Sequence, residues 1–163
     1  MIVKILIGAA LLLALVAGGV ALLGLTAPRD HVATGEAVIG KPPAAVAGLI
    51  RDPSGYSVWR KGVAVSDIRR EGGAVFWRET SHGDAVDYRL EEEIADAGFR
   101  STILTKGPWG GYWIITLTPE GAGTRVRITE RGFVDNLIFR GLGRFAYRYD
   151  ASLKAYLAAL ASA

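Results

Sequence analysis

Residues Ile5 to Leu25 read ILIGAALLLALVAGGVALLGL and carry no charge. A helix of that length spans about 32 Å, at 1.5 Å per residue. This matches the ~30 Å hydrocarbon core of a bilayer. Leu and Ile dominate the run, and its Ala and Gly residues are tolerated in membrane helices. A secretory signal is the competing reading, with Lys4 as its basic leader. Two features favour a retained anchor. The run exceeds the roughly 7–15 residues of a signal core, and the best small-residue cleavage site, after Ala27, sets Pro28 against the scissile bond. Residues 1–27 are therefore read as a single-pass anchor and 28–163 as one domain. Lys4 precedes the helix and Arg29 follows it, so the positive-inside rule places the domain on the non-cytoplasmic side. Ala10, Ala14 and Gly18 recur every four positions, the spacing of a helix–helix contact face.

The rest of the chain narrows the chemistry. Lys and Arg number 19 against 16 Asp and Glu, so a pI of 9.3 rests on a surplus of +3. Nucleic-acid binding is not indicated by so small an excess. The absence of cysteine excludes a disulfide framework, a thiolate metal site and a cysteine nucleophile. Two histidines, His31 and His82, cannot make a His-rich metal centre. No metal and no cofactor is expected. No phosphate-binding glycine loop is present, since GAGT at 121–124 opens a strand and not a helix.

Past a link, TAPRD, the segment Val32–Ile39 reads as a first strand. Lys41-Pro42-Pro43 ends it, and Pro43 suits the first turn of a helix whose apolar face is Val46, Leu49 and Ile50. Asp52-Pro53-Ser54-Gly55 stops that helix, and a very short one follows from Tyr56 to Lys61. From Val63 the period becomes two. Segments 63–70, 74–81, 85–95, 99–106, 112–118 and 124–131 are separated by turn signals at hairpin spacing. With the first strand they make a seven-stranded antiparallel sheet. Alternation sets Val75, Trp77 and Glu79 on one face, with Arg78 opposite. It also groups Val86, Tyr88 and Leu90, then Trp113, Ile115 and Leu117, then Val126, Ile128 and Glu130. Asn136–Ala163 has the 3–4 spacing of one long helix burying a face, through Ile138, Phe139, Leu142, Phe145, Ala146, Tyr149, Leu153, Tyr156, Leu157 and Leu160. Asp135 or Asn136 supplies its N-cap, and Gly141 and Gly143 weaken its first turns. The class is α+β, with helices covering one face of the sheet.

Three stretches carry a family resemblance over residues 31–162. They are KPPAAVAGLIRDPSGYSVWRKGV with Asp52, Tyr56 and Trp59, then GGYWIITLTPEGAGTRVRITERG, then FVDNLIFRGLGRFAYRYDASLKAYLAAL. Together they resemble the START-like or SRPBCC superfamily, the polyketide cyclase/dehydrase and lipid-transport group. The resemblance implies a helix-grip fold, a curved sheet wrapped on a long C-terminal helix with a hydrophobic cavity between them. It does not fix an activity. The anchor in front departs from the superfamily's commonest soluble members.

The residues expected at the cavity are Trp77, Glu79, Tyr88, Leu90, Trp113, Ile115, Glu130, Leu142, Phe145 and Tyr149. Flat indoles suit a lipid or polyketide skeleton, but Trp59 is read as packing. Trp109, in the loop KGPWGG, gates a cavity mouth, touches the bilayer interface or caps the sheet edge. Glu79, Glu130 and Tyr88 are the weak catalytic candidates. A carboxylate on an apolar face needs a partner or a proton, and the plainer reading pairs each glutamate with Arg140 or Arg144. His31 and His82 are given no catalytic role, the first as part of the link and the second as a turn residue. The Glu91-Glu92-Glu93 run is read as solvated strand. The stripe Arg140, Arg144 and Arg148 reads as a solvated face, close enough to anionic headgroups to touch them. These features point to a membrane-anchored binding module for a lipid, isoprenoid or polyketide-like molecule, with the bilayer and that molecule as partners. The alternatives are a cyclase/dehydrase-type enzyme using a cavity carboxylate, and an assembly protein whose interior is filled.

Overall fold

A computed structural model describes residues 2–143 and 150–163, with the side chains of 142 and 143 outside that description. The first helix, α1, runs Ile2–Thr26. It is the one described helix long and apolar enough to cross a membrane. Its apolar side chains are largely exposed on the protein, as they are on a helix whose solvent is lipid.

Seven strands follow in two blocks. β1 (Asp30–Ile39) precedes α2 (Pro43–Arg51), a single 3₁₀ turn at Pro53–Gly55 and α3 (Tyr56–Trp59). Then come β2 (Val63–Glu71), β3 (Ala74–Ser81), β4 (Asp84–Ile94), β5 (Gly98–Ile103), β6 (Trp109–Glu120) and β7 (Gly123–Val134). They form one antiparallel sheet in the order β1-β7-β6-β5-β4-β3-β2. The meander from β2 to β7 is joined largely by tight turns. In the β3–β4 turn His82 and Gly83 both adopt positive φ, 52° and 90°, the backbone of a two-residue hairpin that follows the strand twist. That is the role of His82, which is exposed.

Several boundaries differ from the alternation reading. β1 begins at Asp30, so His31 belongs to a strand and not to the link. β6 begins at Trp109 and takes in Gly110 and Gly111. The glycines read as a loop signal but pair with Phe133 and Gly132 of β7. Gly111 has φ +146°, and a Cβ there would collide with the backbone carbonyl of Arg131. The glycine is required by close approach of two strands, and not by a turn.

The expected long helix is described as α4 (Leu137–Gly143) and α5 (Asp150–Ser162). Residues 144–149, with Arg144, Phe145, Arg148 and Tyr149, lie outside the described residues. Asn136 caps α4, its Oδ1 accepting from the N–H groups of Ile138 and Phe139 at 2.9 and 3.1 Å. α4 packs on α1, whereas α5 packs on β1. The α1–α4 contact does not use Ala10, Ala14 and Gly18. It uses Gly24, where a Cβ would overlap the carbonyl of Leu137, and Gly141, where one would overlap the carbonyl of Val20. Two backbones meet there because each helix brings a glycine to the contact.

The core fills the half of the sheet nearest α2. Ile39, Val46, Ile50, Phe99, Val126, Ile128, Leu153 and Leu160 are fully buried there. Burial of each such side chain contributes roughly 1.5–3 kcal/mol. α2 is also tied to β4 by charge. Arg51 donates to both oxygens of Glu92, at 3.0 and 2.7 Å, and to Asp96 at 2.5 Å. The glutamate run is therefore not merely solvated: Glu91 pairs with Arg89 and Glu93 with Arg100. The Arg51 hydrogen bonds hold the Glu92 carboxyl below its ordinary value near 4.5. A carboxyl depressed on folding stabilises the native state above its unfolded pKa, and that contribution fades as pH falls through the folded value. Glu92→Gln is accordingly expected to flatten the acid limb of a stability–pH curve below about pH 4.5, and to leave its slope at neutral pH unchanged. Thermal unfolding followed across pH checks this.

Candidate functional site

The half of the sheet farthest from α2 covers a hollow of about 700 Å³. The sheet floor supplies Trp77 and Glu79 from β3, Tyr88 and Leu90 from β4, Ser101 and Ile103 from β5, Trp113 and Ile115 from β6, Glu130 and Gly132 from β7 and His31 from β1. The roof is Tyr56 and Arg60 at α3, Ser152 and Tyr156 of α5, and Phe139 of α4. The structure places seven of the expected cavity residues on these walls. The other three, Leu142, Phe145 and Tyr149, lie outside the described side chains. Trp59 does not line the hollow. It packs between Tyr56 and Tyr156, with ring centroids at 5.2 and 5.5 Å.

Aromatic rings pack against one another along the wall. Trp77 stacks on Tyr88 with centroids 5.2 Å apart and planes inclined by 16°. Tyr56 meets Trp77 edge-on at 5.8 Å, and Trp113 meets Tyr156 edge-on at 5.4 Å. Such pairs add roughly 0.5–1.5 kcal/mol each beyond area burial and hold the rings in place.

Two polar clusters interrupt this wall. The first is Glu79 with Arg60. Alternation places Glu79 inward, and it is buried. Among the described residues its partner is not Arg140, and Arg144 lies outside them. Arg60 donates from Nη1 to Glu79 Oε2 at 2.6 Å and from Nη2 to Oε1 at 2.8 Å. The guanidinium lies 5.3 Å from the Tyr56 ring and 5.2 Å from the Tyr156 ring, a cation held between two π faces. Burial opposes its charge, but the Glu79 hydrogen bonds prevail and raise the guanidinium above its ordinary range. Arg60 lies just past α3, and nothing in its local sequence marks it as buried.

The second cluster is Glu130 with His31 and Trp113. Glu130 Oε1 lies 2.8 Å from His31 Nε2, and Oε2 accepts from Trp113 Nε1 at 2.7 Å. Both carboxylate oxygens are engaged, and among the described residues neither by an arginine. Gly132 makes the contact possible, because a Cβ there would fall on the His31 ring. A sequence signal for His31 did exist. It shares parity with Ala33, Gly35, Ala37 and Ile39, the inward side of β1.

The tyrosines are donors and not bases. Burial, then the Glu79 carboxylate, raises the Tyr88 phenol well above its ordinary value. Burial pushes Tyr156 up to about 12, against the pull of Arg60. The Trp77 Nε1 is buried and meets no acceptor among the described residues. Among the described residues no group of three His, Cys, Asp or Glu side chains converges to hold a metal ion.

No family model matches the chain, and no curated protein matches it. Solved structures do. The di-domain ARO/CYC BexL from the BE-7585A biosynthetic pathway superposes with a TM-score of 0.68 at 12% identity, over 85% of this chain and 51% of that one. Norcoclaurine synthase from Thalictrum flavum gives 0.64 at 11% identity, over 86% and 89%. The fold is the START-like helix grip. TTHA0849 from Thermus thermophilus shares the START-like fold at a TM-score of 0.57, with 27% identity over 81% of this chain and 90% of that one. The chain spans about half the length of the di-domain protein. In this START-like domain the described helix across the sheet is α5, and the hollow lies between it and β3–β7.

Proposed function

We propose that the protein is a membrane-anchored binding module for a hydrophobic small molecule of the lipid, isoprenoid or polyketide-like kind. One observation carries the reading: a hollow of about 700 Å³ walled by aromatic residues of the sheet and roof, among them Trp77, Tyr88, Trp113 and Tyr156. That size lies within the range of small-molecule sites, which are mostly apolar with a few placed polar groups. Here Arg60 is paired with Glu79 and Glu130 is hydrogen-bonded to His31, while the exposed Asp84 also belongs to the lining. An anchor suits such cargo, because exchange with lipid avoids exposing it to water.

The test is native mass spectrometry of the full chain held in lipid nanodiscs. A bound compound that organic solvent releases, and that displaces 1-anilinonaphthalene-8-sulfonate, supports the reading. A chain without adduct and without dye binding overturns it.

One observation favours chemistry as a second reading. A carboxylate oriented on an imidazole within an apolar wall is the arrangement of a proton-transfer pair. If His31 and Glu130 turn over a bound compound, wild-type and Glu130→Gln chains carry compounds of different mass. Identical adducts dismiss this reading and leave the carrier in place.

A further inference from the structure

The hollow has a direction. β1 begins, β3, β5 and β7 end, and β4 and β6 begin at one end of the sheet, the end at which α1 joins the domain. Among the described residues, the most exposed apolar side chains of the hollow's lining are at that end. Phe139 of α4 is 59% exposed and Trp109 of β6 is 44% exposed. The other end is closed by α2 and the fully buried core.

α4 fixes where that mouth stands. Its residues Leu137 and Gly141 meet the backbone of α1 at Gly24 and Val20. Those positions lie within the apolar run, inside its last residue, Leu25, by at most about 8 Å at 1.5 Å per residue. An amphipathic helix resting on a bilayer sinks its apolar face about 5–10 Å into the headgroup and acyl boundary. α4 therefore stands at that depth if α1 spans. Ile138, 48% exposed, and Phe139 are residues it leaves uncovered. The joint between anchor and domain is braced. Arg29 donates to Asp135 at 2.6 Å and lies 4.5 Å from the Phe133 ring, and its carbonyl accepts from the Val134 N–H at 2.9 Å.

We infer that the mouth of the hollow opens into the interface of the bilayer, with Ile138, Phe139 and Trp109 seated among lipid and the guest exchanged laterally with the leaflet. The occupant of this apolar rim is the lipid surface, and its continuity with the spanning helix is the reason. The inference rests on the anchored-carrier reading above and adds the route by which the carrier loads.

The chain has no cysteine, so single cysteines can be labelled cleanly. Four full-length variants, Leu13→Cys, Val58→Cys, Ile138→Cys and Trp109→Cys, carry an environment-sensitive NBD label. They are reconstituted in phosphatidylcholine vesicles containing about one-fifth phosphatidylglycerol, with or without lipid bearing a nitroxide on its acyl chain near the glycerol. Leu13 is mid-helix, and Val58, 87% exposed on α3, reports water. Quenching at positions 13, 138 and 109, with none at 58, supports the inference; a severalfold loss of fluorescence is expected at 138. Quenching at 13 with positions 138 and 109 resembling 58 overturns the inference and leaves the anchor standing. No quenching at 13 overturns both. A fifth chain, Ile138→Asp, altered at a rim residue that does not line the hollow, should take up dye-displacing guest from donor vesicles at least fivefold more slowly, with its equilibrium affinity unchanged. An unchanged rate argues against loading through this rim.

Discussion

Arg60→Ala is expected to destabilise the domain by about 3–5 kcal/mol, the cost of leaving a buried carboxylate without its partner. The value follows from geometry and not from counting an ion pair. Glu79 is 8% exposed and has both oxygens committed to one guanidinium at 2.6 and 2.8 Å. A surface pair of the same composition contributes about 0–1 kcal/mol; Arg78 with Asp87, both well exposed, is such a pair. Removing Arg60 also takes away a cation lying between the Tyr56 and Tyr156 rings. The double variant Arg60→Leu with Glu79→Leu should regain most of the loss, because an apolar pair of similar volume replaces a desolvated ionic one at little or no net cost. Urea unfolding of the full chain in nanodiscs, followed by tryptophan fluorescence, measures both. A loss under about 1 kcal/mol for Arg60→Ala, the range of a solvated pair, would mean that water reaches Glu79, and the wall of the hollow would need redrawing.

That pair also shows where sequence reasoning stops. Strand parity is local, so Glu79 can be set on the inward face from Val75 and Trp77 alone. Its partner cannot. Arg60 is brought over β3 by α3 after Asp52 and Pro53 have turned the chain, and no periodicity records which residue of a short connection will lie over a distant strand. Spacing points instead to the C-terminal helix, where arginines recur. Recurrence at helical spacing says which face a residue takes, but not how far along the sheet that face reaches.

His31 escapes the sequence reading for a different reason. The inward parity of β1 runs from Ile39 back through Ala33 to His31 without interruption, so the signal is present. Pro28 and Asp30 make the segment read as a link, and the alternation from Arg125 to Glu130 ends β7 at 131. In the structure β7 continues to Val134, and Gly132 faces His31 in register. A glycine in a strand reads as a terminator, whereas here it leaves room for an imidazole. The same misreading moves Gly110 and Gly111 into a loop. What is legible is the apolar run, the hairpin turns and the inward faces of β3, β4, β6 and β7. What is not legible depends on two strands pairing farther than their side chains advertise.

The largest effect on binding is expected from filling the hollow. Ser101 of β5 stands in register with Leu90 and Trp113 and lines the floor. It shares parity with Phe99, whose side chain is in the core. Ser101→Trp projects an indole into open space, so the strain of overpacking a filled core, about 1–3 kcal/mol, is largely avoided. A guest that needs the same space must lose its contacts. Displacement of 1-anilinonaphthalene-8-sulfonate should show at least about a 100-fold loss of affinity, equivalent to 2.8 kcal/mol at 1.4 kcal/mol per tenfold. The unfolding midpoint in urea should move little. The pairing of these two readouts gives the test its force. Lost binding with an unchanged midpoint means that the hollow was the seat of the guest. Unchanged binding means that the guest sits elsewhere, against α1 or the exposed rim, and that the hollow is bystander space. Lost binding with a collapsed midpoint would show that Ser101 was packed and not facing a void, contradicting the cavity on which the carrier reading stands.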